Sequence, residues 1–298
     1  MDSTLWLRTN SFPFFSSHDP PRLFAHRGAS GHRPENTMEA FSLAWDMGVK
    51  YLEMDVHMSR DGHVVVIHDE TLDRTTDGHG YVKEHTISEL KRLDAGYSFL
   101  PENSCEPIFR GMGLRIPLLE EVVKEFPQAM LNIEVKQKTP PMEDSLWKVL
   151  SQNGALERVL IASENGELLR RLRARFGPAV ATGISRKEAF AFLRWYLTGK
   201  RGHYRPQGQA LQIPQKIKGL DYISQGFIDA AHQLGLEVHI WTVNDSSRMK
   251  KFLDMGADGI ITDYPERFPL GNLSGSRSPQ LDERKHQGGH HVLRSLNG

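Results

Sequence analysis

The chain has 298 residues, 39% hydrophobic and 25% charged, and its 37 Lys and Arg residues balance 37 Asp and Glu residues. That length can bury a substantial core, and the balanced charge excludes the positive field that gathers nucleic acid without sequence preference. One cysteine, Cys105, excludes an intrachain disulfide and a cysteine-based zinc cluster, and fits a reducing compartment.

Residues 1–20 read as an N-terminal arm. Its acidic second residue and the breaks at Arg8, Asn10 and Pro13 deny it the basic start and unbroken apolar run of a signal peptide. No run of about twenty apolar residues occurs, so no transmembrane segment is predicted and a cytoplasmic location is expected.

From 21 to 270 short apolar runs alternate with amphipathic segments, the pattern of βα units around a parallel sheet. Candidate strands are RLFAH (22–26), KYLEMDV (50–56), HVVVIH (63–68), MLNIEVK (130–136), RVLIAS (158–163), AVATGI (179–184), ALQIP (210–214), EVHIWTV (237–243) and DGIITD (258–263). A TIM-type (β/α)8 barrel needs eight of these nine, and ALQIP, short and ending in proline, reads as the weakest. Helices are predicted at 37–47, opened by Asn36, and at 117–126, 143–152, 166–176, 225–234 and 246–255. The interval 69–116 has turn signals at TDGHG and PENSCEP and no strand-helix rhythm, so it reads as an insertion after the third strand, a small subdomain over one mouth of the barrel. Residues 271–298, rich in Gly, Ser and charge, read as a disordered tail; its His286, His290 and His291 are plainer as solvated groups than as metal ligands.

Glu53 and Asp55 stand two apart on a strand flanked by Tyr51, Leu52, Met54 and Val56. They therefore share a face, and two like charges in a buried strand call for a cation or hydrogen bonds. Glu134 and Lys136 repeat the spacing in MLNIEVK. A third carboxylate completes an oxygen-rich set suited to Mg²⁺ or Ca²⁺, with Mn²⁺ also admissible, and the lysine offers a positive point for an anion. His26 and His68 each close an apolar strand, where barrel enzymes place catalytic groups, and so read as an acid-base pair. His57 reads as turned outward relative to Asp55, and His32 as a loop residue.

The stretches FAHRGASGHRPENTMEAF, LEMDVHMSRDGHVVVIHDETLDRTTDGHG, LNIEVK, HIWTVND and GIITDYP resemble the glycerophosphodiester phosphodiesterase family. The match runs in order from about 22 to 268, dense over 22–99 and thin over 139–235. The resemblance implies a TIM-type barrel with an insertion, one divalent metal, and hydrolysis of a glycerophosphodiester to glycerol 3-phosphate and an alcohol. Carried over residue by residue, it makes Glu53, Asp55 and Glu134 metal ligands, His26 and His68 acid and base, Arg27 and Lys136 phosphate contacts, and Trp241 a pocket wall. MSRDG departs from the family in having Ser59 where threonine is frequent, which keeps the hydroxyl. Arg27 beside His26 then has a reason: a guanidinium grips the phosphate without titrating, while an imidazole moves a proton. Two other readings fit the same motifs, a lysophospholipase D acting on membrane lysophospholipids and an inactive phosphodiester-binding barrel. A phosphoinositide phospholipase C type of barrel also uses two histidines but usually without this carboxylate set, so Glu53, Asp55 and Glu134 argue against it.

Residues 185–206, SRKEAFAFLRWYLTGKRGHYRP, would follow the sixth strand as a helix with Ala189, Phe192, Leu193, Tyr196 and Leu197 on the packed face. Phe190 and Trp195 fall outside it, near Arg194, Lys200, Arg201 and Arg205. Packing on the barrel is the first reading of this segment, and peripheral membrane contact through 186–205 the second.

Overall fold

The structure is a computed structural model that describes residues 11–102 and 104–269. The proposed tail, with its three histidines, and the first half of the arm lie outside the described residues. The elements are α1 (Pro13–Ser16), β1 (Arg22–His26), α2 (Met38–Asp46), β2 (Tyr51–Met58), β3 (Val64–Val66), α3 (Ile87–Leu90), α4 (Leu119–Glu125), β4 (Met130–Val135), α5 (Glu143–Gln152), β5 (Val159–Ala162), α6 (Gly166–Phe176), β6 (Ala181–Thr182), α7 (Arg186–Leu197), β7 (Ala210–Pro214), α8 (Gln225–His232), β8 (Glu237–Trp241), α9 (Ser246–Asp254) and β9 (Gly259–Thr262).

Eight strands pair in parallel in the order β6-β5-β4-β2-β1-β9-β8-β7, and a bridge between Gly183 and Ala210 joins the two ends. This is a TIM-type barrel with helices between its strands. Several loops leaving the mouth end in a residue whose side chain caps the next helix: Thr37 accepts from the Ala40 N–H, Ser185 from Glu188, Ser224 from Phe227 and Asp245 from Arg248. Such caps satisfy amide groups the helix itself cannot, so each βα turn stops the strand and starts the helix at a defined residue.

The ninth strand is not the one expected. ALQIP is β7, a full member of the barrel paired with β8 from Ala210↔Glu237 to Pro214↔Trp241. Its proline is tolerated because the following Gln215 N–H bonds Trp241 O, which turns the Pro214 nitrogen to the opposite side, where the two-residue β6 has already ended. The extra strand is β3, which runs antiparallel to β2 outside the barrel (Val56↔Val66, Met58↔Val64). The following stretch carries its own apolar cluster of Ile67, Leu72, Val82, Leu90, Phe109, Leu114 and Ile116.

At the N-terminal end of the strands, α1 inserts Phe14 and Phe15 against Phe24, Tyr51, Met130, Leu160 and Ile261. Arg22, at the start of β1, faces Glu237 at 3.2 Å and the Phe15 and Tyr51 rings. His239 is fully buried and is held by Glu237 and Gln212, a structural role. That end is therefore filled, and the opposite mouth is left for ligands.

In α7 the helix packs Ala189, Phe192, Leu193 and Tyr196 as the periodicity requires, but Leu197 is 71% exposed. Trp195, expected outside the packed face, packs at a tilt against Phe192 and Tyr204 and donates its ring N–H to Gly202 O. Phe190 does stay exposed.

Candidate active site

The register of the sheet assembles the charged groups. β1 and β2 align His26 with Glu53, and β2 and β4 align Asp55 with Glu134. The period of two carries both β2 carboxylates to the barrel interior. One oxygen from each of Glu53, Asp55 and Glu134 lies within 4.8 Å of the others, and Glu53 and Asp55 are almost wholly buried.

Cationic side chains converge on this cluster. Lys136 Nζ lies 2.9 Å from Glu134 Oε2 and 3.1 Å from Asp55 Oδ1, and Arg27 Nε lies 3.0 Å from Asp55 Oδ2. The Arg27 backbone N–H donates to Glu53 Oε2 at 2.9 Å. Burial and the neighbouring Asp55 charge push the Glu53 carboxyl well above the usual carboxylate range. Burial would raise Asp55 too, but the charges of Lys136, Arg27 and His68 bring it below its ordinary value. Glu134 is raised, chiefly by burial, with Lys136 opposing. A carboxyl group held up by its like-charged neighbour is relieved by a cation, and the donors are all oxygen. Asn132, on the same face of β4, adds a buried Oδ1 with no hydrogen-bond partner. The residues present thus fit a hard divalent ion.

Each histidine has a carboxylate partner. His26 Nδ1 lies 2.6 Å from Asp263 Oδ1, just past β9. Asp263 also accepts from Ser30 Oγ at 2.9 Å and from Asn244 Nδ2 at 2.7 Å. An ionised carboxylate only accepts, so the proton sits on Nδ1 and Nε2 is left to exchange one. Burial opposes charging His26, but the Asp263 hydrogen bond and the Glu53 charge outweigh it, and its pKa is raised. His68 Nδ1 lies 2.5 Å from Asp69 Oδ1. His68 does not end a barrel strand as expected. The chain returns along β2 through antiparallel β3, with the Ile67 N–H on Asp55 O, and brings the imidazole over the mouth from outside. His57 is not turned away either: two residues beyond Asp55, it is buried and donates from Nε2 to His68 O at 3.1 Å, bracing that turn.

Six further residues of the site carry no site role in the sequence reading, which gave Asn36 only the opening of a helix. Arg74 bonds Asp69 through Nε at 2.6 Å and Glu35 at 2.7 and 2.8 Å, and Glu35 receives Arg27 Nη1 at 2.9 Å. A continuous chain of charges therefore links His68 to Arg27. Asn36 does not cap α2, a task done by Thr37; its Nδ2 donates to Asp55 Oδ2 at 3.0 Å. Asn244 and Asp263 lie in the WTVND and GIITDYP stretches, and their position just past two strand ends was the available signal. Arg27 and Asn36 both have φ near +57°, unusual for residues with a Cβ and frequent where a site imposes its geometry. At Gly28 a Cβ would come within 2.5 Å of the Ala40 backbone, so only glycine lets this loop cross α2.

The other side of the mouth is apolar. A groove of about 600 Å³ starts at Glu134 and runs between the ends of β5–β8 and α7, walled by Ala162, Ile184, Leu193, Ile213 and Trp241, with Phe190 at its rim.

The profile of the Glycerophosphoryl diester phosphodiesterase family matches residues 26–267. The chain belongs to that family. It is 35% identical to a glycerophosphodiester phosphodiesterase of Caldanaerobacter subterraneus subsp. tengcongensis over 82% of this chain and 94% of the relative. A human lysophospholipase D is 28% identical over 86% of this chain and 85% of its own length. Among solved structures, an Oleispira antarctica phosphodiesterase in complex with the product sn-glycerol-3-phosphate superposes with a TM-score of 0.67 at 29% identity, covering 83% of this chain and 95% of the other. As a glycerophosphodiester phosphodiesterase, the protein is an enzyme whose open mouth holds the charged cluster described above. Among the described residues no helix is long and apolar enough to cross a membrane.

Proposed function

We propose that the enzyme hydrolyses glycerophosphodiesters to glycerol 3-phosphate and an alcohol by histidine acid-base catalysis beside a divalent cation held by Glu53, Asp55 and Glu134. The observation that carries this reading is the convergence of those three carboxylates, within 4.8 Å, at a mouth where two histidines each lean on a carboxylate. When bound, a divalent ion there supplies positive charge to the phosphoryl oxygens.

The remaining work falls to the chain itself. Arg27 and Lys136, already turned toward the cluster, bind and orient the phosphate. His26, its pKa raised by Asp263 and Glu53 against burial, is suited to start protonated and to give its Nε2 proton to the departing alkoxide. His68 takes a proton from the attacking hydroxyl, with Asp69 holding its Nδ1. For water as nucleophile, one P–O bond forms and the P–O bond to the alcohol breaks. The two protons so exchanged balance. Product identification on glycerophosphocholine tests the reading: glycerol 3-phosphate and choline are expected, and phosphocholine with glycerol would refute it.

The groove favours a second substrate reading, an acylated phosphodiester such as a lysophospholipid, and the human relative bears the name of a lysophospholipase D. An apolar channel that begins at a metal ligand offers an acyl chain a place while the phosphate sits at the cluster. Faster turnover of lysophosphatidylcholine than of glycerophosphocholine supports this reading, and turnover of the soluble diester alone dismisses it.

A further inference from the structure

Beyond β7 the chain makes a tight two-residue turn. Ile217 and Leu220 exchange both backbone hydrogen bonds, at 3.1 and 2.9 Å, and Lys218 and Gly219 between them have φ of 49° and 81°. Two consecutive positive φ values fit the turn whose twist matches a hairpin, so this tip is a fixed structure rather than a loose loop. Its base is tied down by Tyr222, whose hydroxyl donates to Pro214 O at 2.8 Å. The tip places Leu220, 73% exposed, beside exposed Lys216 and Lys218.

Lys216, Ile217 and Lys218 border the apolar groove, facing Arg186 and Phe190 from the first two turns of α7. Phe190 is 49% exposed with the Arg186 guanidinium 5.8 Å from its ring centre. Arg186, Lys216 and Lys218 make no close ion pair among the described residues, though the Lys216 charge acts at longer range on exposed Asp221. Nearby acids are mostly engaged: Glu188 pairs with Arg173 at 2.8 Å and Asp221 with Arg248 at 3.0 Å. Glu164 is the exception on the groove wall. A monomer seldom leaves large apolar side chains and unpaired cations interleaved around an apolar opening without a partner to cover them.

We propose that the 216–220 turn and the Arg186–Phe190 edge of α7 form a docking surface for an anionic phospholipid bilayer, with Leu220 and Phe190 entering the headgroup layer and Arg186, Lys216 and Lys218 meeting lipid phosphates. The charge pattern and the continuity with the groove select a lipid surface over a protein partner: an acyl chain lifted from the bilayer meets the groove at once. The docking surface keeps Arg186 and Phe190 from the 186–205 segment the sequence suggested but not that segment's far end. Lys200 and Arg201 follow the far end of α7, whose length from Arg186 to Leu197 is about 16 Å at 1.5 Å per residue. Trp195 at that end is already occupied in packing.

The surface deepens the lysophospholipid reading, on which its kinetic benefit rests, but binding itself can be measured without turnover. Full-length protein carrying Glu53→Gln is sedimented with phosphatidylcholine vesicles with and without phosphatidylglycerol. Binding to the anionic vesicles is expected, weakened by salt as screening predicts. Lys216→Glu with Lys218→Glu should lower it at least tenfold, each cation being worth on the order of fivefold at such a surface. Leu220→Glu should lower it too, while in the otherwise unmodified enzyme that exposed residue, outside the groove, leaves turnover of glycerophosphocholine intact and so reports a folded protein. Absence of sedimentation, equal sedimentation with neutral vesicles, or undiminished binding by these variants overturns the proposal. Vesicle binding without lysophospholipid hydrolysis leaves the docking surface standing and removes the substrate reading alone.

Discussion

Around the mouth, the β1-β2-β4 side presents His26, Glu53, Asp55 and Glu134, crossed by Arg27, Lys136, Asn36 and the Arg74-Glu35 link. The β5–β8 side, built from the same βα units, presents Ala162, Ile184, Ile213 and Trp241 to an open groove. The contrast teaches where a barrel can hold buried charge. Carboxylates stay buried at β2 and half-buried at β4 because donors and cations reach them within about 3 Å. Past β5 to β7 the following segments bring Arg186, Lys216 and Lys218 only to the border of the groove, and the strand ends keep apolar residues that suit the uncharged part of a substrate.

Breaking the charged side should have the largest effect. Glu53→Gln or Asp55→Asn, each removing a proposed ligand and unbalancing Arg27 and Lys136, should abolish turnover of glycerophosphocholine; near-normal rates in both would dissolve the contrast. His26→Ala and His68→Ala should each lower turnover by roughly two to four orders of magnitude, the usual worth of a positioned acid or base. Each should also erase one limb of the pH-rate profile.

Asp263→Asn sharpens the comparison further. The charge that helps hold the His26 pKa up would be gone and the hydrogen bond, now to an amide oxygen, would be neutral and weaker, so its pKa falls. With His26 active when protonated, the alkaline limb of the profile moves to lower pH, and turnover at neutral pH drops about ten- to a hundredfold, the worth of one charge-assisted hydrogen bond. An unmoved limb would separate Asp263 from the acid. On the apolar side, Leu193→Trp fills part of the groove at a cost on the order of 1–3 kcal/mol to an acyl chain placed there. KM for lysophosphatidylcholine should rise about tenfold relative to that for glycerophosphocholine, and a parallel change in both would detach the groove from substrate.

Legibility in the sequence follows the same division. The barrel, its helices and the three carboxylates were legible because period two and apolar flanks confine Glu53, Asp55 and Glu134 to the barrel interior, where like charges call for a cation. The choice between β3 and β7 was not, because which neighbour an apolar run pairs with is decided by chain direction, and Pro214 offends only where its nitrogen faces a partner. His57 shows how firm the alternation is: counting by two from Asp55 places it on the same face, where the structure has it. Glu35, Asn36, Arg74, Asn244 and Asp263 lie in loops, where no period connects a residue to the side chain it will meet. Their roles appear only once β1, β9 and the stretch after β3 are brought together at the mouth.

The most direct test of a cation-dependent mouth is turnover of glycerophosphocholine after exhaustive chelation, followed by return of Mg²⁺, Ca²⁺ or Mn²⁺. Activity should vanish on chelation and return with at least one of these ions in the unmodified enzyme but not in Glu53→Gln. Full activity in the chelated enzyme would contradict a cation at Glu53, Asp55 and Glu134.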